Sequence, residues 1–254
     1  KVPEIKELPI FTGGAVGYLS YETISYFEKS VHKNKESNLD VPESIFMLTD
    51  SIVVFDHVKQ TIFIVNYAEV NDSIDLKKTY ESSLEKIQEI YDLIKKPVPE
   101  QHNKISGISN TEERSKEELI DQYKKNMSKE EYKLAVENCI ENIYSGEIIQ
   151  IVFSQRLTKK TNASAIDIYR CLRTINPSPY MFLLNFKDFE ILGASPELLV
   201  KSTNKEIEVH PIAGTRPRGK NAEEDEKIAD ELISDEKELA EHLMLLDLGR
   251  NDVG

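Results

Sequence analysis

Apolar and polar positions alternate with two different periods along this chain, and the changes of period divide it into strands and helices. Around Gly13, Gly14 and Gly17 small residues are interleaved with aromatic ones. Neither GxGxxG nor GK[ST] is present, so the run predicts close packing of a strand and a turn, not a phosphate loop. Tyr18, Tyr21 and Phe27 predict a short amphipathic helix ending near residue 29. A polar surface loop over 30–42 precedes two β-rich runs, 45–55 and 61–67, which read as a hairpin. Asp72 or Ser73 then opens a helix reaching about residue 95, where Pro97 and Pro99 stop it. Residues 97–127 are charged, rich in Ser and Asn, and weakly periodic. They predict a linker between a sheet-and-helix region, 1–96, and a second region, 128–254.

The second region opens on a Ser128/Glu131 capping box and a helix with apolar positions Tyr132, Val136, Cys139, Ile140 and Ile143, stopped by Gly146. Residues 147–157 are apolar on both faces and predict a central strand interrupted by Gln150 and Gln155. A glutamine in such a strand must find hydrogen bonds or line a cavity. A helix over 165–175 and a hairpin of 181–186 with 189–192 follow. The tight turn GASPE (193–197) delivers Glu197 directly after an apolar strand. A second hairpin turns at Thr203-Asn204, leading to the loop PIAGTRPRG (211–219) and a charged helix over 221–233. Strands and helices do not alternate as βαβ units. The class is therefore α+β with large, mainly antiparallel sheets.

The last run, SDEKELAEHLMLLDLGRNDVG, carries the densest chemistry. Ser234 or Asp235 can cap a helix, with Glu238 as the reciprocal partner of Asp235. Leu239, Leu243 and Leu246 predict a core stripe, while Glu238, Glu241, His242 and Leu245 form a second face. Like charges one turn apart repel unless water or a cation separates them, so this face meets either solvent or a metal.

Composition narrows the partners. A formal charge of −13 argues against nucleic acid or an anionic membrane surface, both of which demand a basic face. It leaves room for a small anion in a local pocket. Backbone amides at Gly214 and Thr215 could receive a carboxylate that Arg216 and Arg218 steer, although a basic turn also serves as a solvated loop. Cys139 and Cys171 sit in apolar-periodic segments and read as buried free thiols of a reducing cytoplasm. No apolar run reaches bilayer length and the first residues lack a secretory pattern. The sequence stops just past a helix, which leads us to expect a portion of a longer protein.

IIQIVFSQR, NPSPYMF, GASPE, PIAGTRPRG, KELAEHLML and DLGRND occur in one order. Together they closely resemble the chorismate-utilising enzymes, and among them the large (component I) subunits of the anthranilate synthases. The resemblance extends from FTGGAVGYLSYE to the final glycine. It implies two layers of antiparallel sheet with helices outside, a cleft for chorismate and Mg²⁺, and a cytoplasmic lyase of tryptophan biosynthesis. It further implies that Glu241 binds the metal, with Glu238 contacting it directly or through water; magnesium favours carboxylate and water oxygens. Glu197 is implied as the general acid for the departing C4 hydroxyl, a role that needs a carboxyl with a raised pKa. Gly214 and Thr215 are implied as substrate contacts.

Members that add water to chorismate carry lysine at the position of Gln150. Glutamine cannot take a proton at neutral pH, so Gln150 points to ammonia, which needs only orientation. Aminodeoxychorismate synthase typically has lysine where Ala213 stands; Ala213 favours direct attack of ammonia at C2 and elimination of pyruvate to anthranilate. Ammonia would come from a separate glutamine amidotransferase subunit. Pro179, Tyr180 and Met181 match the segment that lines the site of the inhibitor tryptophan. The family's other wall of that site, its pyruvate-elimination histidine, its substrate tyrosine and arginine and its second metal glutamate have no counterpart here, so this chain by itself is expected to carry part of a site. The alternatives are aminodeoxychorismate synthase component I and an inactive tryptophan-sensing or scaffold subunit.

Overall fold

The computed structural model describes residues 5, 7–31, 39–98 and 115–254. Part of the expected loop (32–38) and part of the expected linker (99–114) lie outside the described residues. Two compact units emerge, Lys1–Lys104 with Leu184–Glu190, and Ile105–Leu183 with Ile191–Gly254.

In the first unit β1 (Gly14–Leu19) pairs antiparallel with β2 (Ser44–Thr49). Between them lie a single 3₁₀ turn, Tyr21–Thr23, and the one-turn helix α1 (Ile24–Phe27), the short helix expected there. β3 (Ser51–Asp56) pairs antiparallel with β4 (Thr61–Asn66). The run 45–55, expected as one strand, is therefore two strands with different partners. Asp50 makes the break. Its carbonyl accepts from Tyr67 N at 2.7 Å, and its carboxylate lies 3.0 Å from Lys86 Nζ on α2 (Leu76–Ile94). The hydrogen bond from Lys86 holds the Asp50 carboxyl below its ordinary pKa. The cap of α2 is Asp75, three residues beyond the expected Asp72, because the Asp75 carboxylate accepts from Lys77 N and Lys78 N.

Gly17 explains the glycine-rich opening. A Cβ there would stand 1.8 Å from the Ile45 carbonyl oxygen, inside the β1–β2 ladder where Gly17 faces Phe46. Strand backbone cannot retreat without breaking its pairing. We expect Gly17→Ala to destabilise the protein by about 1–3 kcal/mol, read as a lowered urea midpoint at unchanged slope; an unchanged midpoint would mean that the two strands are not this close. The first unit also holds the most enclosed apolar side chain among the described residues, Phe186, 6% exposed. Its ring centroid lies 5.7 Å from Tyr18 and 5.0 Å from Phe189.

The second unit begins with α3 (Lys116–Ile120), β5 (Lys124–Lys125) and α4 (Lys129–Tyr144). Both halves of the Ser128/Glu131 capping box are formed, and Gly146 follows α4 with φ +81°. The expected central strand over 147–157 is not. Only β6 (Leu157–Thr158) pairs, antiparallel to β5, while Ile149 and Val152 are 75% and 89% exposed. Apolarity on both faces marks a run that neighbours can cover on both sides, but a strand also needs a ladder partner, and none lies beside 148–156 among the described residues. For the same reason the sheets, expected to be large, are two-stranded among the described residues.

α5 (Ala165–Ile175) is capped by Ser164 where the pattern put it. β7 (Tyr180–Asn185) and β8 (Glu190–Ser195) form the next pair. β9 (Lys201–Thr203) and β10 (Glu206–Glu208) turn through Asn204 and Lys205, both with positive φ as a tight two-residue hairpin requires. α6 (Ala222–Ser234), capped by Asn221, runs into α7 (Glu236–Val253). The class is α+β with antiparallel pairing, as expected. Cys139 and Cys171 are free and half-buried, and no helix among the described residues is long and apolar enough to cross a membrane.

Candidate functional site

Asp235 starts α7: its Oδ1 accepts from Lys237 N at 3.0 Å and from Glu238 N at 3.1 Å. These backbone donors, Glu238 N foremost, keep the Asp235 carboxyl below its ordinary pKa. The reciprocal half of the expected cap is not made. Glu238 Oε1 instead accepts from Arg216 Nη1 at 2.9 Å. A guanidinium is a stronger donor to a carboxylate than a backbone amide, and it cancels the charge as well.

The leucine stripe is also corrected. Leu239, Leu243 and Leu246 are 48%, 54% and 43% exposed, whereas Glu238 and Glu241 are half-buried. Glu238 turns inward because Arg216 of the 211–219 loop pairs with it; a carboxylate leaves water only with such a partner. This disfavours the solvated-face reading. His242 is exposed.

The loop itself is anchored at several points. Gly214 has φ +69°, and a Cβ there would meet Glu238 Oε2 at 2.9 Å and Leu232 Cδ1 at 3.0 Å. Ile212 N donates to Glu197 Oε1 at 3.3 Å. Arg218 Nε donates to Asp225 Oδ1 at 2.8 Å, as does Gly219 N at 2.8 Å. The Arg218 hydrogen bond is the main reason that the Asp225 carboxyl sits low. Both arginines expected to steer a ligand carboxylate thus hold carboxylates of the protein itself.

Glu197 ends the turn after β8, where its N–H donates to Ser195 Oγ and the Ser195 hydroxyl donates back to Glu197 O. The side chain is exposed, not partly buried as expected. Through Ile212 and Gly214 the GASPE turn, the PIAGT loop and α7 are joined in one chain of contacts, Glu197 to Glu238. A cavity of about 300 Å³ adjoins them, lined by Ser195, Glu197, His210, Leu245, Leu248 and Asp252 among others. His210 carried no sequence signal beyond preceding the PIAGT loop, and Asp252 is the last residue of DLGRND. His210 Nε2 is 3.6 Å from Glu208 Oε2.

Gln150 is exposed and lines a different cavity, about 400 Å³, with Ile148, Ile149, Met244, Asp247 and Asn251. The two cavities share Leu248, so Gln150 and Glu197 flank the same stretch of α7 without meeting. Pro179 and Tyr180 are exposed and Met181 is half-buried at the start of β7. Thr215 is exposed and Ala213 is half-buried.

No cluster of three or more metal-ligating side chains occurs among the described residues. Glu238 and Glu241 nevertheless supply the hard oxygen donors that suit magnesium, which is held by one or two carboxylates with waters and substrate filling the rest. With Glu238 Oε1 engaged by Arg216, Glu241 is the carboxylate left for direct contact.

The family described as chorismate binding enzyme matches residues 2–254. Over the whole chain, probable anthranilate synthase component 1 of Schizosaccharomyces pombe (strain 972) is 43% identical and anthranilate synthase component 1 of Acetivibrio thermocellus is 42% identical. This chain covers 50% of each, so it spans about half the length of these curated relatives. The crystal structure of anthranilate synthase component I from Streptococcus pneumoniae TIGR4 superposes with a TM-score of 0.78 at 32% identity, covering 100% of this chain and 52% of that one.

Proposed function

The chain belongs to the chorismate-binding enzymes, and from that premise we propose that the complete protein converts chorismate and ammonia to anthranilate and pyruvate, the first step of tryptophan biosynthesis. The observation that carries this reading is the line of contacts from Glu197 through the PIAGT loop to Glu238, with Glu197, Pro211 and the later part of α7 beside one cavity. Glu197 is positioned to give a proton to the departing hydroxyl. Gly214 and Thr215 offer backbone to a ring carboxylate, and Gly214, having no side chain, leaves room beside that backbone for Glu238 Oε2.

Glu241, with Glu238, would hold Mg²⁺, which when bound supplies Lewis-acid polarisation of the substrate carboxylate. Gln150 orients ammonia without deprotonating it, and Ala213 leaves the ring open to that nucleophile where a lysine would compete. Ammonia arrives from a glutamine amidotransferase partner, the second component that the relatives' name suggests. Tryptophan inhibits at Pro179, Tyr180 and Met181, and the protein works in the cytoplasm.

The test is direct. The complete protein incubated with chorismate, Mg²⁺ and ammonium is expected to yield fluorescent anthranilate. Formation of 4-amino-4-deoxychorismate with no anthranilate sinks the reading.

A further inference from the structure

One side chain at this site has no role in the reading above. Arg216 Nη1 donates to Glu238 Oε1 at 2.9 Å and to Thr215 O at 3.1 Å, while Nη2 donates to Asp235 Oδ2 at 2.9 Å. Arg216, Asp235 and Glu238 are 25%, 33% and 21% exposed as side chains, so the trio is more enclosed than an ordinary surface ion pair. The hydrogen bond with Glu238 is the largest influence holding the Arg216 pKa above its ordinary value.

The geometry divides both acids. Asp235 caps α7 with Oδ1 and meets Arg216 with Oδ2. Glu238 gives Oε1 to Arg216 and keeps Oε2 beside Gly214. A planar two-pronged guanidinium can span two carboxylates and a carbonyl at once, which a lysine ammonium on a flexible stem cannot reproduce.

We propose that Arg216 is a positioning residue: it locks the PIAGT loop to the first turn of α7 and holds Glu238 with Oε2, not Oε1, free of the guanidinium and beside Gly214. This deepens, and rests on, the assignment of a divalent cation to Glu241 and Glu238. Arg216 touches neither substrate nor metal in this role. It fixes which oxygen of Glu238 is available, and it keeps two carboxylates one turn apart from repelling each other before a cation arrives.

The experiment uses the complete protein with Mn²⁺ as the probe, its affinity read by calorimetry. Arg216→Met is expected to weaken Mn²⁺ binding by about tenfold or more, the scale on which groups that orient metal ligands act. Arg216→Lys should not restore it. In a Glu238→Gln background, Arg216→Met should cause no further loss, because the carboxylate it positions is gone. A purely structural residue would instead lower the melting temperature and weaken Mn²⁺ binding equally in both backgrounds. Unchanged affinity in Arg216→Met, or losses that multiply in the double variant, overturns the proposal. If the unaltered protein takes up no Mn²⁺, the cation assignment itself fails. Amide exchange over 211–219 then decides the remaining claim, and exchange no faster in Arg216→Met than in wild type overturns the lock.

Discussion

Glu197→Gln should lower kcat of the complete protein by roughly 10²–10⁴-fold, the range over which a positioned proton donor contributes. Glutamine has the same shape, and its amide oxygen can still accept from Ile212 N, so the PIAGT loop keeps its anchor. What disappears is the proton. KM for chorismate should therefore change little, which identifies an interaction made only in the transition state. The exposed position of Glu197 adds a condition. The acid role therefore requires bound substrate to remove water from around the carboxyl. An unaltered kcat would remove Glu197 from the chemistry.

Glu241→Ala should be as damaging by a different route. Loss of a direct ligand should weaken Mg²⁺ binding by at least about 100-fold, beyond what is seen when only an orienting partner is lost. Turnover should then fall at ordinary Mg²⁺ and recover in part as Mg²⁺ is raised. Glu241 is half-buried, not enclosed, on α7, so the fold should survive loss of its carboxylate, and a circular dichroism melt provides the control. His242→Ala is the matching negative, since His242 is exposed. Normal Mg²⁺-dependent activity in Glu241→Ala would refute the metal assignment, whereas equal loss in His242→Ala would point to damage of the helix.

The parts of this molecule that were legible from residue order alone are those decided within a turn or two. Ser128 with Glu131 and Gly146 after α4 act on backbone groups a few residues away, so spacing is enough to find them. The hairpin of β9 and β10 belongs to the same kind, although its turn falls at Asn204-Lys205, one residue beyond the expected Thr203-Asn204. The glycine-rich opening was recognisable as close packing, but its partner, Ile45, was not.

What escaped depends on neighbours far along the chain. The leucine stripe of α7 and its acidic face exchange environments because Arg216, many residues earlier, supplies the charge that lets Glu238 leave water. Periodicity finds the faces of a helix and cannot say which one is covered when a cation from another segment pairs with one of them. The 148–156 run failed similarly, since its side-chain pattern carries no information about a ladder partner. The two cavities beside α7 also separate Gln150 from Glu197, two residues that the motifs alone would have placed in one pocket.

The aromatic cluster of the first unit has a consequence for how the chain is made. Tyr18 emerges from the ribosome early, yet the rings it packs against, Phe186 and Phe189, come from a hairpin tip synthesised much later. Strand pairs and α2 can form as they appear, because their partners are close in sequence. The cluster cannot. Its closure carries the entropy of a long loop, so it belongs among the slow, late contacts. Until residue 189 is free, the nascent first unit must persist with its most enclosed position empty.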